Sequence, residues 1–349
     1  MEKQRQANIE ALRVVAMFLI VVMHYIFCGL KESPGHAYYD MTSLKGLVDY
    51  ITMEPLYILS GTAVNCYVMV TGYFLIDRLT FRWKGILRTW LMTVFYSLVF
   101  LCAAFLLKLD VPKSAVLGSF FPVYHNSYWF VTSYIGLLLV APLLSRAALS
   151  LSKKAYLWVL AVLFVLVFEF LYGKVFAGHR TLVFFSYLFL LGGYFRLHGI
   201  PQWFVRYRFW IFAGLLLALF ILASGVNILR GNGFALISSA YDGPLLFLSL
   251  SIFVIALTTR GDGRLVSALS HLAPYTFGVY LIHTNYFVNE RIYALIPSSV
   301  PYPIILHCLL FSILLFTVCI MVDFLRERLF KLVKMDAGID RLGKKMPQL

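Results

Sequence analysis

NIEALRVVAMFLIVVMHYIFCGL, residues Asn8–Leu30, is apolar enough to cross a bilayer and yet carries Glu10, Arg13 and His24. An ionisable side chain in hydrocarbon is costly unless it faces a partner or a wet cavity, so a plain anchor has no use for these three. Arg13 and His24 stand eleven positions apart. Eleven steps of a helix with about 3.6 residues per turn return to nearly the same direction, displaced by about 16 Å along the axis. Glu10 precedes Arg13 by one turn on that face, within reach of an ion pair. The stretch reads as a membrane helix with a polar stripe: a cation near one surface and an imidazole deeper in.

The rest of the chain agrees. Its 349 residues are 61% hydrophobic and only 13% charged, with a mean hydropathy of +0.83. Soluble domains of this size do not have that composition, and the apolar runs are continuous rather than alternating. The expected class is therefore an all-α polytopic membrane protein and not a β-barrel. About ten apolar runs of spanning length are expected, near 9–30, 55–76, 86–107, 128–145, 155–172, 181–197, 209–226, 243–259, 275–292 and 302–324. The net charge of +14 does not point to nucleic acid, because Lys and Arg collect at alternate helix ends. Placing both termini in the cytoplasm puts Arg78, Arg82, Lys84, Arg88, Arg146, Lys153, Lys154 and the basic residues after 325 on one side. The other side then receives only a scatter, and the expected location is the cell's inner membrane, multi-pass. The first run lacks a small-residue cleavage site and is expected to stay on the protein. The expected organisation is a membrane domain over 1–325 and a basic amphipathic cytoplasmic tail over 326–349, lying on anionic lipid. The outer loops, 31–54, 109–127 and 227–242, would line any entrance from outside. The five cysteines lie in or beside apolar runs without ligand spacing, so neither a metal site nor a disulfide framework is expected.

Three places can carry chemistry. His24 either hydrogen-bonds a neighbouring helix or acts as a general base, since neutral imidazole is suited to take a proton from a hydroxyl. Arg13 either pins packing through Glu10 or lines a channel toward an anionic or amide-rich ligand. In DRLTFRWKGILRTW, residues 77–90, Arg82, Lys84 and Arg88 either orient the chain or seat a polyanion such as a nucleotide with several phosphates. Arg88 stands out because it lies inside the apolar run. In SHLAPYTFGVYLIHTNYF, residues 270–287, His283 and Tyr280 either pack or wall the same cavity. Asn65, Thr71 and Gly72, with Trp129 and Tyr134, are further candidates for that wall.

In this order the pieces resemble the bacterial membrane acyltransferase-three family over nearly the whole length. The most specific element is an arginine separated by ten residues from a histidine on the first helix, matched by Arg13 and His24, with Glu10 three before the arginine. VMVTGYFLI (68–76), YWFVTSYIGLLLVAPLLS (128–145) and SHLAPYTFGVYLIH (270–283) are similar to the family's later segments. One departure is Gly85, which stands where the family often has a second arginine three before Arg88.

The resemblance implies transfer of an acyl group, most often acetyl, from cytoplasmic acyl-CoA to a hydroxyl of a cell-surface glycan or its lipid-linked precursor. Acetyl-CoA or another acyl-CoA would be a donor substrate, with no permanently bound cofactor and no metal. The partners are then acyl-CoA, a glycan or glycolipid acceptor and the bilayer. His24 would be the base, with Arg13 and Glu10 ordering the donor channel. Arg82, Lys84 and Arg88 would hold CoA, and Asn65, Trp129, Tyr280 and His283 would line the substrate pocket. The resemblance is to the form without a fused esterase-like domain. The alternative from another class is a proton-coupled exporter of a glycan or lipid precursor. Such a protein would show inverted repeats and helices broken at the midplane.

Overall fold

The computed structural model describes residues 7–31, 43–168, 181–230, 238–261, 263–297 and 299–347. Among these residues the secondary structure is helical, without strands. The helices are α1 (Ala7–His24), continued by a π-helical segment (Tyr25–Lys31), α2 (Leu44–Gly61), α3 (Ala63–Leu75), α4 (Trp83–Leu106), α5 (Lys113–Phe120), α6 (Trp129–Ser150), α7 (Lys153–Val167) and α8 (Leu182–His198). They continue with α9 (Gln202–Arg230), α10 (Ser238–Thr258), α11 (Arg264–Ser270), α12 (Thr276–His283), α13 (Tyr286–Tyr293), α14 (Ile304–Leu332) and α15 (Met335–Lys345).

Seven stretches among the described residues are long and apolar enough to cross a membrane, and two shorter apolar helices, Leu182–His198 and Gly243–Thr258, join them. The protein is an all-α polytopic membrane protein. Each expected run coincides with a helix, but several boundaries move. Ser43 caps α2, its hydroxyl accepting from the Gly46 N–H at 3.0 Å, so this helix starts eleven residues before 55. The run expected over 275–292 is instead a spanning stretch Arg264–His283 followed by a break. Asn285 makes that break: its Oδ1 accepts from the Phe287 N–H at 2.9 Å and opens α13. The boundary expected at 325/326 lies inside α14. Residues 32–42 and 231–237 of the expected outer loops, and 169–172 of the expected fifth run, lie outside the described residues.

Two compact units divide the chain, each described by itself. The first comprises Met1–Tyr67, Ile200–Tyr280 and Glu290–Ile320; the second comprises Val68–Gly199, Leu281–Asn289 and Met321–Leu349. In the first unit α1 packs against α2, α10 and α11, and α9 lies against α2 and α10. Asn8 Nδ2 donates to the Ala256 and Thr259 carbonyls at 2.9 and 3.2 Å, satisfying acceptors at the open end of α10. In the second unit α6 and α7 flank α8, and α4 holds α5, α6 and α15. The crossing of α3 and α8 is made by glycines: a Cβ on Gly72 would stand 2.0 Å from the Phe189 carbonyl oxygen, and one on Gly192 2.1 Å from that of Met69. Lipid supplies no hydrophobic push between helices, so small residues that let backbones approach closely do this work in membranes.

Candidate functional site

α1 starts with Glu10 in its first turn, where a carboxylate suits the helix dipole, and ends on His24. In the first unit the first part of the expected stripe, Glu10 with Arg13, pairs. Arg13 Nη1 lies 3.3 Å from both Glu10 oxygens, with Glu10 buried and Arg13 half-buried. His24 is half-buried, and its Nδ1 sits 2.9 Å from the Ile20 carbonyl oxygen one turn back. A carbonyl only accepts, so Nδ1 carries the hydrogen and the lone pair of the neutral ring is on Nε2.

Immediately after His24 the backbone widens into the π-helical segment Tyr25–Lys31. Such turns are rare and recur at functional sites, because the extra residue per turn redirects side chains. Tyr25, the first residue of that segment, is buried, and its hydroxyl pairs with His307 Nδ1 of α14 at 2.7 Å. Phe311 stacks on the His307 ring with centroids 6.0 Å apart. Around Tyr25 lie Val22, Ile26, Met53, Tyr293, Ile296 and Cys308, with Tyr57 packed at the edge. Glu54 of α2 neighbours Met53 in sequence and is 1% exposed. Asn65, a candidate for the cavity wall, donates to Ser249 Oγ at 3.0 Å inside the unit. Tyr280 is buried.

In the second unit the basic cluster separates into two parts. Arg82 precedes α4 and lines a shallow surface depression with Arg78, Thr80, Leu75, Leu138, Ala141 and Pro142. Among the described residues Arg82 has no carboxylate partner, whereas Arg78 Nε lies 3.5 Å from Asp77. Lys84 and Arg88, one turn apart on α4, face α15: Lys84 Nζ is 2.9 Å from Asp340, and Arg88 Nε is 3.9 Å from Asp336. Gly85 is open, with nothing within 4 Å of a Cβ placed there. Trp129 opens α6 and meets Phe185 edge-on at 6.2 Å. His283 is fully buried, and its carbonyl accepts from Asn289 Nδ2 at 3.2 Å. Thr71 and Tyr134 hydrogen-bond each other at 3.2 Å, and Gly72 is committed to the α8 crossing rather than to a cavity.

Three polar features escape a reading by local spacing. Asp323 accepts from Tyr96 at 2.8 Å and from Arg326 Nε and Nη2 at 3.0 and 2.7 Å, a buried bidentate pair. Tyr128 accepts from Asn285 Nδ2 at 2.7 Å, tying the start of α6 to the break before α13. The third is Tyr25 with His307. A histidine inside the last apolar run is a signal the sequence does carry, since intramembrane histidines are rare.

The family model described as an acyltransferase domain matches residues 6–324, a range that takes in Glu10, Arg13, His24 and the basic start of α4. Among curated proteins and solved structures, none gives a significant match. That match decides for an acyltransferase over an exporter: the chain, a multi-pass membrane protein, belongs to the acyltransferase-three family.

Proposed function

We propose that this membrane acyltransferase moves an acyl group, acetyl by preference, from acyl-CoA to a hydroxyl of a cell-surface glycan or its lipid-linked precursor, with His24 as general base. The observation that carries this reading is the Nδ1 bond to the Ile20 carbonyl, which leaves the lone pair on Nε2. The acceptor O–H gives its proton to Nε2 while its oxygen attacks the thioester carbonyl. The C–S bond breaks, the ester forms, and the departing thiolate takes the proton from the imidazolium to leave as CoA-SH.

Arg13, held by Glu10, orders the donor in the first unit; a fixed guanidinium offers planar donors to amide or phosphate oxygens. The donor's phosphates are met in the second unit by Arg82, Lys84 and Arg88. Asn65, Trp129, Tyr280 and His283 remain proposed substrate contacts. The protein acts in the inner membrane with its basic loops and both termini cytoplasmic.

The test is transfer of labelled acetyl from acetyl-CoA by purified protein to isolated envelope glycan. Wild-type protein should label the glycan, and His24→Ala should lose about 10²–10⁴-fold in rate, the usual weight of a positioned base. Label released to water but never to glycan would keep the donor and overturn the acceptor.

A further inference from the structure

Two of the three cations of the proposed donor seat, Lys84 and Arg88, are already neutralised, and by the chain itself. Asp336 and Asp340 lie four residues apart on one face of α15, and Lys84 and Arg88 lie four apart on α4. The four charges meet as two ion pairs, with Lys84 Nζ held at 2.9 and 3.0 Å by the Asp340 oxygens. Trp83, the residue before Lys84, donates its indole N–H to the Pro347 carbonyl at 2.7 Å. Two carboxylates one helical turn apart mimic two neighbouring phosphate groups. We infer that α15 is a releasable anionic strap: it occupies the polyphosphate seat on α4 through Asp336 and Asp340, and a polyphosphate ligand must displace it. This rests on the reading of Arg82, Lys84 and Arg88 as a phosphate seat.

α15 is held in the manner of something that lets go. Ile339 is its one buried residue. Asp336 Oδ1 is buried without a hydrogen bond, and its pairing with Arg88 is long at 3.9 Å. Exposed pairs of this kind contribute little. The helix has only eleven residues and contains Gly338 and Gly343. A helix that short and glycine-bearing does not persist once undocked. The joint to α14 is Lys334, in left-handed backbone with φ 54° and ψ 34°. A side-chain-bearing residue adopts that conformation under strain, which release relieves. Against these weak holds, a polyphosphate brings more charge and more acceptor oxygens than two carboxylates to the same two cations.

The strap also divides the seat. Arg82 and Arg78 are exposed and reachable while α15 is docked, so a phosphate can land there first and then compete for Lys84 and Arg88.

The test uses full-length purified protein and two probes, coenzyme A and inorganic tripolyphosphate. Amide hydrogen exchange is followed over residues 335–347, and affinities are measured for wild type and for Asp336→Asn with Asp340→Asn. Each probe should raise exchange in α15 of the wild type, and the double variant should bind each about three- to tenfold more tightly, the weight of two exposed ion pairs removed from competition. Binding of either probe with α15 exchange unchanged or slowed overturns the strap, as does failure of both probes to loosen it. Loosening by tripolyphosphate while coenzyme A binds nowhere keeps the strap and sinks the CoA reading. Turnover of acetyl-CoA with α15 still docked does the reverse. The exchange measurement on wild type decides even if the double variant is poorly folded.

Discussion

His24 combines a fixed tautomer with a place at the junction where α1 becomes π-helical, and both follow from backbone geometry. The Ile20 carbonyl orients the ring, while Tyr25 and His307 hold the first residue of the wider turn. Tyr25→Phe leaves His307 Nδ1 without its partner and should cost about 1–3 kcal/mol, seen as a lower melting temperature in detergent. His24→Gln keeps a side-chain N–H donor and an acceptor oxygen and should melt close to wild type. Asp323 is the more dangerous residue to touch. Asp323→Ala strips the bidentate partner from a buried Arg326 and should destabilise by about 3–5 kcal/mol. Asp323→Leu combined with Arg326→Met should recover most of that loss, because the pair removed together leaves no uncompensated charge.

The helices divide into those that touch through backbone and those that touch through side chains, and glycine substitution separates them. Gly192→Ala places a methyl 2.1 Å from the Met69 carbonyl oxygen and should cost about 1–3 kcal/mol or more, read as lost monodisperse protein after heating. Gly85→Ala on α4 meets nothing and should stabilise by about 0.5–1 kcal/mol. The same contrast explains what could be read in advance. The Glu10–Arg13 pair lies within one helix, where spacing alone fixes geometry, and it forms at the expected spacing. Spacing does not announce that Gly72 meets the Phe189 backbone or that Asn65 donates to Ser249, because what a helix face meets depends on partners over a hundred residues away. The apolar run begins at 55 and leaves Glu54 in a loop; the Ser43 cap extends the helix and buries it. Nothing local announces the π-helical segment, and Asp336 and Asp340 belong to the tail expected on anionic lipid, whereas in the structure they pair with α4.

Taken whole, the chain is a multi-pass membrane acyltransferase, and in the proposed reaction the imidazole of the first unit and the cations of the second have separate roles. The cations should declare themselves through salt. The KM for acetyl-CoA should rise at least about threefold between roughly 0.05 and 0.5 M salt, since exposed charges are screened over that range, while kcat changes little. The experiment that bears most directly on His24 compares acetyl transfer by wild type, His24→Ala and His24→Gln, each first shown to bind coenzyme A and to melt near wild type. Loss of about 10²-fold or more in kcat with donor binding intact is the expected result. Transfer at the wild-type rate by either variant would mean that another group takes the acceptor's proton, and the assignment of His24 would be wrong.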